Sequence, residues 1–154
     1  MPRPSLLFLL LALTGTATAQ AQKAPAEAQA VRQTITTFFE GMRQGDSAKV
    51  RRTLAPGVVF HVIKNRPDKT ELTVENPSEF LKIVGTPHPE IYDERITFEQ
   101  VLIDANLASV WTPYRFYVGS KFSHCGYNSF QLIKLAEGWK IAHIIDTRRK
   151  DGCK

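Results

Sequence analysis

The stretch LASVWTPYRFYVGSKFSHCGYNSFQLIKLAEGWKIAHIIDTR, residues 107–148, decides the fold. It is rich in β-branched and aromatic residues and is interrupted only at Gly119-Ser120 and Glu137-Gly138, two tight-turn signals. Runs 107–118, 122–135 and 139–148 therefore read as successive strands of an antiparallel meander. A run of the same character, 91–103, comes before them and is separated by Asp104-Ala105-Asn106.

Upstream the apolar period changes. Within 26–44, Val31, Ile35, Phe38, Phe39 and Met42 recur at helical spacing and make one stripe on an α-helix. Gly45 supplies a stop, and Asp46 or Ser47 can cap a short second helix with Val50 and Leu54 inward. Pro56-Gly57 ends that helix, 58–64 reads as a strand, 65–69 as a turn and 71–75 as a returning strand. Asn76-Pro77-Ser78-Glu79 then opens a third helix carrying Phe80, Leu81, Ile83 and Val84. The order ααββαββββ predicts an α+β fold, three helices packed on one face of a strongly curved, mainly antiparallel sheet.

The chain has 154 residues, enough for one domain, and is 43% hydrophobic and 23% charged, which excludes a disordered or fibrous class. Residues 1–22, MPRPSLLFLLLALTGTATAQAQ, carry Arg3, a short apolar run over 6–13 and the small-residue pattern Ala17-Thr18-Ala19. This is the pattern of a cleaved secretory signal, and the run is too short to cross about 30 Å of hydrocarbon. The expected organisation is 1–19 signal peptide, 20–25 tail and 26–154 a single domain, exported to the periplasm or secreted. The formal charge of +5 is spread in small clusters such as Arg51-Arg52 and Arg148-Arg149-Lys150, so no nucleic-acid partner is expected. In an oxidising compartment Cys125 and Cys153 are expected to form a disulfide, worth about 3–4 kcal/mol by loop closure. Neither lies in a C-x-x-C arrangement, and the four histidines show no H-x-H or H-E-x-x-H spacing, so no metal or other cofactor is expected.

The helix, Gly45-Asp46, short helix, strand, third helix and final meander closing on Gly138-Trp139-Lys140-Ile141 resemble the nuclear transport factor 2-like superfamily. That superfamily takes in SnoaL-like polyketide cyclases and ketosteroid isomerase. The residues from Trp111 to Cys153, with His124-Cys125-Gly126 and Asp146-Thr147-Arg148, are most similar to small exported bacterial members labelled lumazine-binding. The resemblance implies a cone in which one sheet face lines a ligand pocket while the outer face packs against a second subunit as a homodimer. Because this fold hosts enzymes, binders and assembly domains, it implies no single activity.

A two-residue turn at Glu137-Gly138 pairs Ala136 with Trp139 and sorts the side chains. Tyr127, Ser129, Gln131 and Ile133 then share a face with Ala142, Ile144, Asp146 and Arg148. The other face carries His124, Asn128, Phe130 and Leu132 with Trp139, Ile141, His143 and Ile145. The Gly119-Ser120 turn adds Val110, Thr112 and Tyr114 to the Tyr127 face. The Asp146 face is assigned to the pocket because its place in the last strand is similar to that of the catalytic aspartate of polyketide cyclases. The candidate ligand-binding residues are Tyr114, Tyr127, Ser129, Gln131, Asp146, Arg148 and His124. Asp146 could act as a base with Tyr114, Tyr127 or Arg148 as donor, or in a dyad with His61 or His124. Arg148 on the same face argues against it, since an ion pair makes Asp146 a poor base. Phe38 and Phe39 stand where ketosteroid isomerase uses a first-helix tyrosine. Trp111, Tyr114, Phe116 and Tyr117 read first as core and interface packing. Three readings follow: a non-catalytic binder of a small organic ligand, a cofactor-independent isomerase, dehydratase or cyclase, and a dimeric interaction module.

Overall fold

The computed structural model describes the backbone of residues 16–65 and 68–153, with side chains from residue 24 onward. Of the expected signal segment, residues 1–15 lie outside the described residues; 16–19 are helical backbone. Helix α1, Thr16–Gln44, starts upstream of its apolar stripe, and all five stripe residues are buried. Cleavage after Ala19 would therefore remove none of the helix's packing residues.

Gly45, at φ 69°, turns the chain into α2, Ser47–Thr53, whose first turn is capped by Asp46 accepting from the Lys49 amide at 2.8 Å. Strand β1, Leu54–Asn65, begins earlier than expected: Leu54 is already extended, and Pro56-Gly57 falls inside the strand at a break in its pairing. Strand β2 is Thr70–Glu75. Asn76 caps α3, Pro77–Gly85, accepting from the Ser78 amide at 2.8 Å and that of Glu79 at 3.3 Å.

The expected run 91–103 is two short strands, β3, Tyr92–Ile96, and β4, Gln100–Asp104. Both pair with β5, Leu107–Val118, along its two halves, and the Thr97 and Glu99 amides bridge the gap to the carbonyls of Pro113 and Trp111. Strands β6, Lys121–Leu135, and β7, Gly138–Arg148, complete one seven-stranded sheet of order β2-β1-β7-β6-β5-β3, with β4 also on β5. Every pairing is antiparallel except β1 with β7, which joins the first strand to the last. The α+β expectation holds, with one more strand in the final series.

The helices close over the concave face. Val31 and Ile35 of α1 and Phe130, Leu132 and Ile141 of the sheet are fully buried in one cluster. Burying each such large side chain is worth about 1.5–3 kcal/mol. The Trp139 indole N–H donates to Glu27 at 2.8 Å and fastens α1 across the last strand. No described helix is long and apolar enough to cross a membrane.

Register is where the structure departs from expectation. The last turn is Ala136-Glu137, with Leu135 opposite Gly138, and Gly138 enters β7 at φ 109°. Two pairing shifts follow. Between β5 and β6 the pairs change from Tyr117 with Phe122 to Phe116 with His124, leaving Ser123 extra. Between β6 and β7 they change from Leu132 with Ile141 to Gln131 with His143, leaving Ala142 extra. Each extra residue inverts the alternation beyond it. Asp146 thus lies opposite Asn128, and Tyr114 opposite Gly126. Tyr127, Ser129 and Gln131 are on the outer face, not the Asp146 face.

Past β7, Arg149 exchanges backbone hydrogen bonds with Cys125, and Gly152 at φ 58° bends the tail back. There Cys153 forms the expected disulfide with Cys125, closing a 28-residue separation at a Cα–Cα distance of 5.8 Å. The bridge should contribute about 3–4 kcal/mol by restricting the unfolded chain. Cys153→Ser, and wild-type protein held in reductant, are each expected to lose that amount in denaturant titrations, with reductant adding nothing to the variant.

Candidate functional site

Between the helices and the concave face lies a cavity with about 70 Å³ open to the centres of water molecules. One water needs ~10–15 Å³ by this measure, so the space admits several waters or part of a small organic molecule. Its floor is aromatic: Phe38 and Phe39 from α1, Phe60 from β1, Phe80 from α3 and Phe130 from β6. Phe38 stacks on Phe80 at 5.7 Å between centroids and meets Phe60 edge-on at 6.4 Å. The two phenylalanines of the first helix are therefore cavity wall.

The opposite wall is polar. Arg148 Nε lies 3.0 Å from Asp146 Oδ2, and its Nη2 lies 3.0 Å from Glu75 Oε1. Burial works against the guanidinium charge, but Asp146 and Glu75 outweigh it and raise the Arg148 pKa. The Tyr114 hydroxyl is 3.2 Å from Asp146 Oδ2 and 2.9 Å from the Thr147 carbonyl oxygen. It has one proton to give, so its donor capacity is committed between them. Burial, with the Asp146 charge, pushes the phenol further up and keeps it neutral. Gly126 makes this seating possible: a Cβ there would run into the Thr147 carbonyl oxygen and stand 2.8 Å from Tyr114 Cε1.

Glu94 completes the wall from β3. Its Oε1 accepts from Asn128 Nδ2 at 2.8 Å, and Asn128 is the cross-strand partner of Asp146. Burial pushes the Glu94 carboxyl up to about 8, the nearby Asp146 charge adds to this, and the Asn128 bond only partly offsets it. At neutral pH Glu94 is therefore mainly a neutral acid, able to give a proton and to take one back. His124 is pushed down to about 4, first by burial and then by Arg148. Its Nδ1 meets Ser123 Oγ at 3.0 Å, and its ring packs edge-on against Tyr114.

Of the residues named from sequence, Tyr114, Asp146, Arg148 and His124 line this cavity, and the dyad candidate His61 also borders it. Tyr127, Ser129 and Gln131 do not. On the outer face, Tyr127 stacks on Trp111 with centroids 5.1 Å apart, and Gln131 donates to Ser109 Oγ at 3.1 Å. Neither histidine considered for a dyad is hydrogen-bonded to Asp146: His61 pairs with His143 and His124 with Ser123. Glu94, Glu75 and Asn128 were not singled out. The readable signal was the alternation Tyr92, Glu94, Ile96, a carboxyl on the inward side of a strand. No group of three or more His, Cys, Asp or Glu residues gathers to hold a metal among the described residues.

No protein-family profile matches the chain, and no curated protein matches it by sequence. Solved structures do match in shape. A nuclear transport factor 2-like protein with a cystatin-like fold from Novosphingobium aromaticivorans gives a TM-score of 0.70 at 10% identity, covering 89% of this chain and 90% of the other. A conserved protein from Planctomyces limnophilus gives 0.65 at 20% identity, covering 80% of this chain and 97% of the other. A protein from Streptomyces avermitilis, described as a proposed dehydratase of the nuclear transport factor 2-like family, gives 0.58 at 15% identity, covering 82% and 98%. The chain has the nuclear transport factor 2-like fold.

The raised Glu94 pKa has a sign that can be tested. Folding holds a proton on Glu94 between its ordinary value of 4.5 and about 8, so this group's contribution to stability is full below the lower value and is lost as pH rises to the upper one. Glu94→Gln should abolish that component. The difference in unfolding free energy, variant minus wild type, is expected to grow between pH 5 and pH 8.5 and then level off.

Proposed function

We propose that the cone binds a small, partly apolar organic molecule and moves a proton on it without a cofactor, as an isomerase, dehydratase or cyclase does. Glu94 carries the proton. The supporting observation is a half-buried carboxyl held by Asn128 at 2.8 Å in a cavity with an aromatic floor, where burial pushes its pKa up to about 8. A proton-transfer group works best when its pKa lies close to the working pH. Asp146 serves as a fixed negative charge, held by Arg148 and Tyr114, and not as the base. The Streptomyces neighbour's description accords with this class of chemistry.

A second reading, binding without catalysis, has its own support. Tyr114 has no free proton and Asp146 is paired, so the Asp146–Tyr114 couple offers no ready acid–base pair. We further propose that the chain is exported after cleavage following Ala19, in keeping with its disulfide. It then pairs through the outer sheet face as a homodimer. Val59, Leu72, Val74, Leu102, Leu107 and Trp111 are exposed apolar residues that all fall on that face by register.

The test uses protein recovered from an exporting host without reductant, whose native mass is expected to correspond to a dimer of chains beginning at Gln20. A panel of enolisable cyclic ketones is then screened for exchange of carbon-bound hydrogen with deuterated solvent. Glu94→Gln is expected to lower the exchange rate by about 10²–10⁴-fold while ligand affinity changes little. Exchange unaffected by Glu94→Gln but abolished by Asp146→Asn would return the base to Asp146. A bound ligand that never exchanges would leave the non-catalytic reading.

A further inference from the structure

His61 of β1, which also borders the cavity, and His143 of β7 make a polar constellation of their own on the outer face of the sheet. The two strands run parallel with Val59 opposite His143 and His61 opposite Ile145, so the histidines are diagonal neighbours on the outer face. His61 Nδ1 stands 2.8 Å from His143 Nε2, with the rings nearly perpendicular at 87°. Both side chains are half-buried. We propose that this pair is a binding site for a divalent transition-metal cation that favours tetragonal nitrogen ligation, copper(II) first.

The geometry selects the metal class. Imidazole nitrogens bind such ions at roughly 2.0–2.1 Å, and two nitrogens 2.8 Å apart at that radius subtend about 85° at the metal. That is close to the right angle between adjacent positions of a square-planar or tetragonal ion, as copper(II) and nickel(II) prefer. A tetrahedral zinc ion would need the nitrogens ~3.3 Å apart. Among divalent first-row ions copper(II) also has the highest intrinsic affinity for such ligands. In the metal-free pair one nitrogen must carry the hydrogen that the other accepts. Binding opens that hydrogen bond: the hydrogen moves, by way of solvent, to the other nitrogen of the donor ring, and each ring turns by roughly 45° so that both lone pairs converge on the cation. Both ligands sit on paired strands, so little backbone order has to be gained on binding. In the single chain, partial exposure leaves the remaining positions to water; Val59 and Val74 flank the pair on the face proposed to form the homodimer, where a partner would cover them. None of this depends on the chemistry assigned to the cavity.

The probe is copper(II) alone, added below one equivalent to the disulfide-intact chain and followed by electron paramagnetic resonance and by competition with a colorimetric chelator. A tetragonal spectrum with coupling to two imidazole nitrogens is expected, at one ion per chain. His61→Asn and His143→Asn should each weaken binding by at least about tenfold and remove one nitrogen coupling. His88→Asn, a change at a histidine elsewhere, should leave both unchanged. Copper binding that is indifferent to both substitutions, or a spectrum lacking the paired nitrogen coupling, would overturn the site. Should His143→Asn fail to fold by circular dichroism, His61→Asn alone decides.

Discussion

A guanidinium set into a protein wall is tolerable only when its charge is answered, and Arg148 is answered from two strands: by Asp146 beside it on β7 and by Glu75 at the end of β2. Since β1 runs between β2 and β7, the pair spans three strands of the sheet. The rest of the polar wall follows from this anchoring. Asp146, paired with Arg148, accepts from Tyr114, whose hydroxyl also lies against the Thr147 carbonyl. The same negative charge, with Glu75, acts on Glu94 across the cavity and helps burial keep it protonated, against the pull of Arg148. The arginine thus fixes the shape of the wall, while burial, helped by the carboxylates gathered around it, sets the protonation state of Glu94.

The aromatic floor contributes through what it excludes. Five phenylalanines from two helices and two strands leave no hydrogen-bonding groups on their side of the cavity. Glu94, on the polar wall facing this floor, is desolvated by the protein packed around it. The helices needed for this floor are specified by ordinary local signals: the apolar stripe of α1, the Asp46 cap of α2 and the Asn76 cap of α3. Packing and electrostatics meet at one site because the sheet curves enough to present both.

Most of the element order was legible because periodicity and turn residues are local properties. The sheet register was not, because an extra residue leaves no mark where both sides of a strand are apolar, as in Leu132-Ile133 and Ile144-Ile145. The bulges at Ser123 and Ala142 each turn β6 over relative to a neighbour. Between β5 and β7 the two inversions cancel, so Tyr114 and Asp146 meet in the cavity as their sequence positions suggested. The middle strand took the full error: Tyr127, Ser129 and Gln131 went outward, and Asn128 and Phe130 took the inward places. Splitting of the 91–103 run was hidden for a similar reason, since both halves lie along one partner strand. Glu94 was recoverable in principle, from a carboxyl alternating with Tyr92 and Ile96. The exchange of the two β6 faces also gives the outer surface its stacked Trp111–Tyr127 pair.

The bond between Cys125 and Cys153 has a consequence for the integrity of the chain. The exposed Ala136-Glu137 turn lies inside the ring that the bond closes. A protease cutting that turn would leave 138–153 tethered to β6. Strand β7, with Asp146 and Arg148, would keep its places against β6 and β1. The nicked molecule would run as one piece until reduced and as two fragments afterwards, and its polar wall would outlast the break in the backbone.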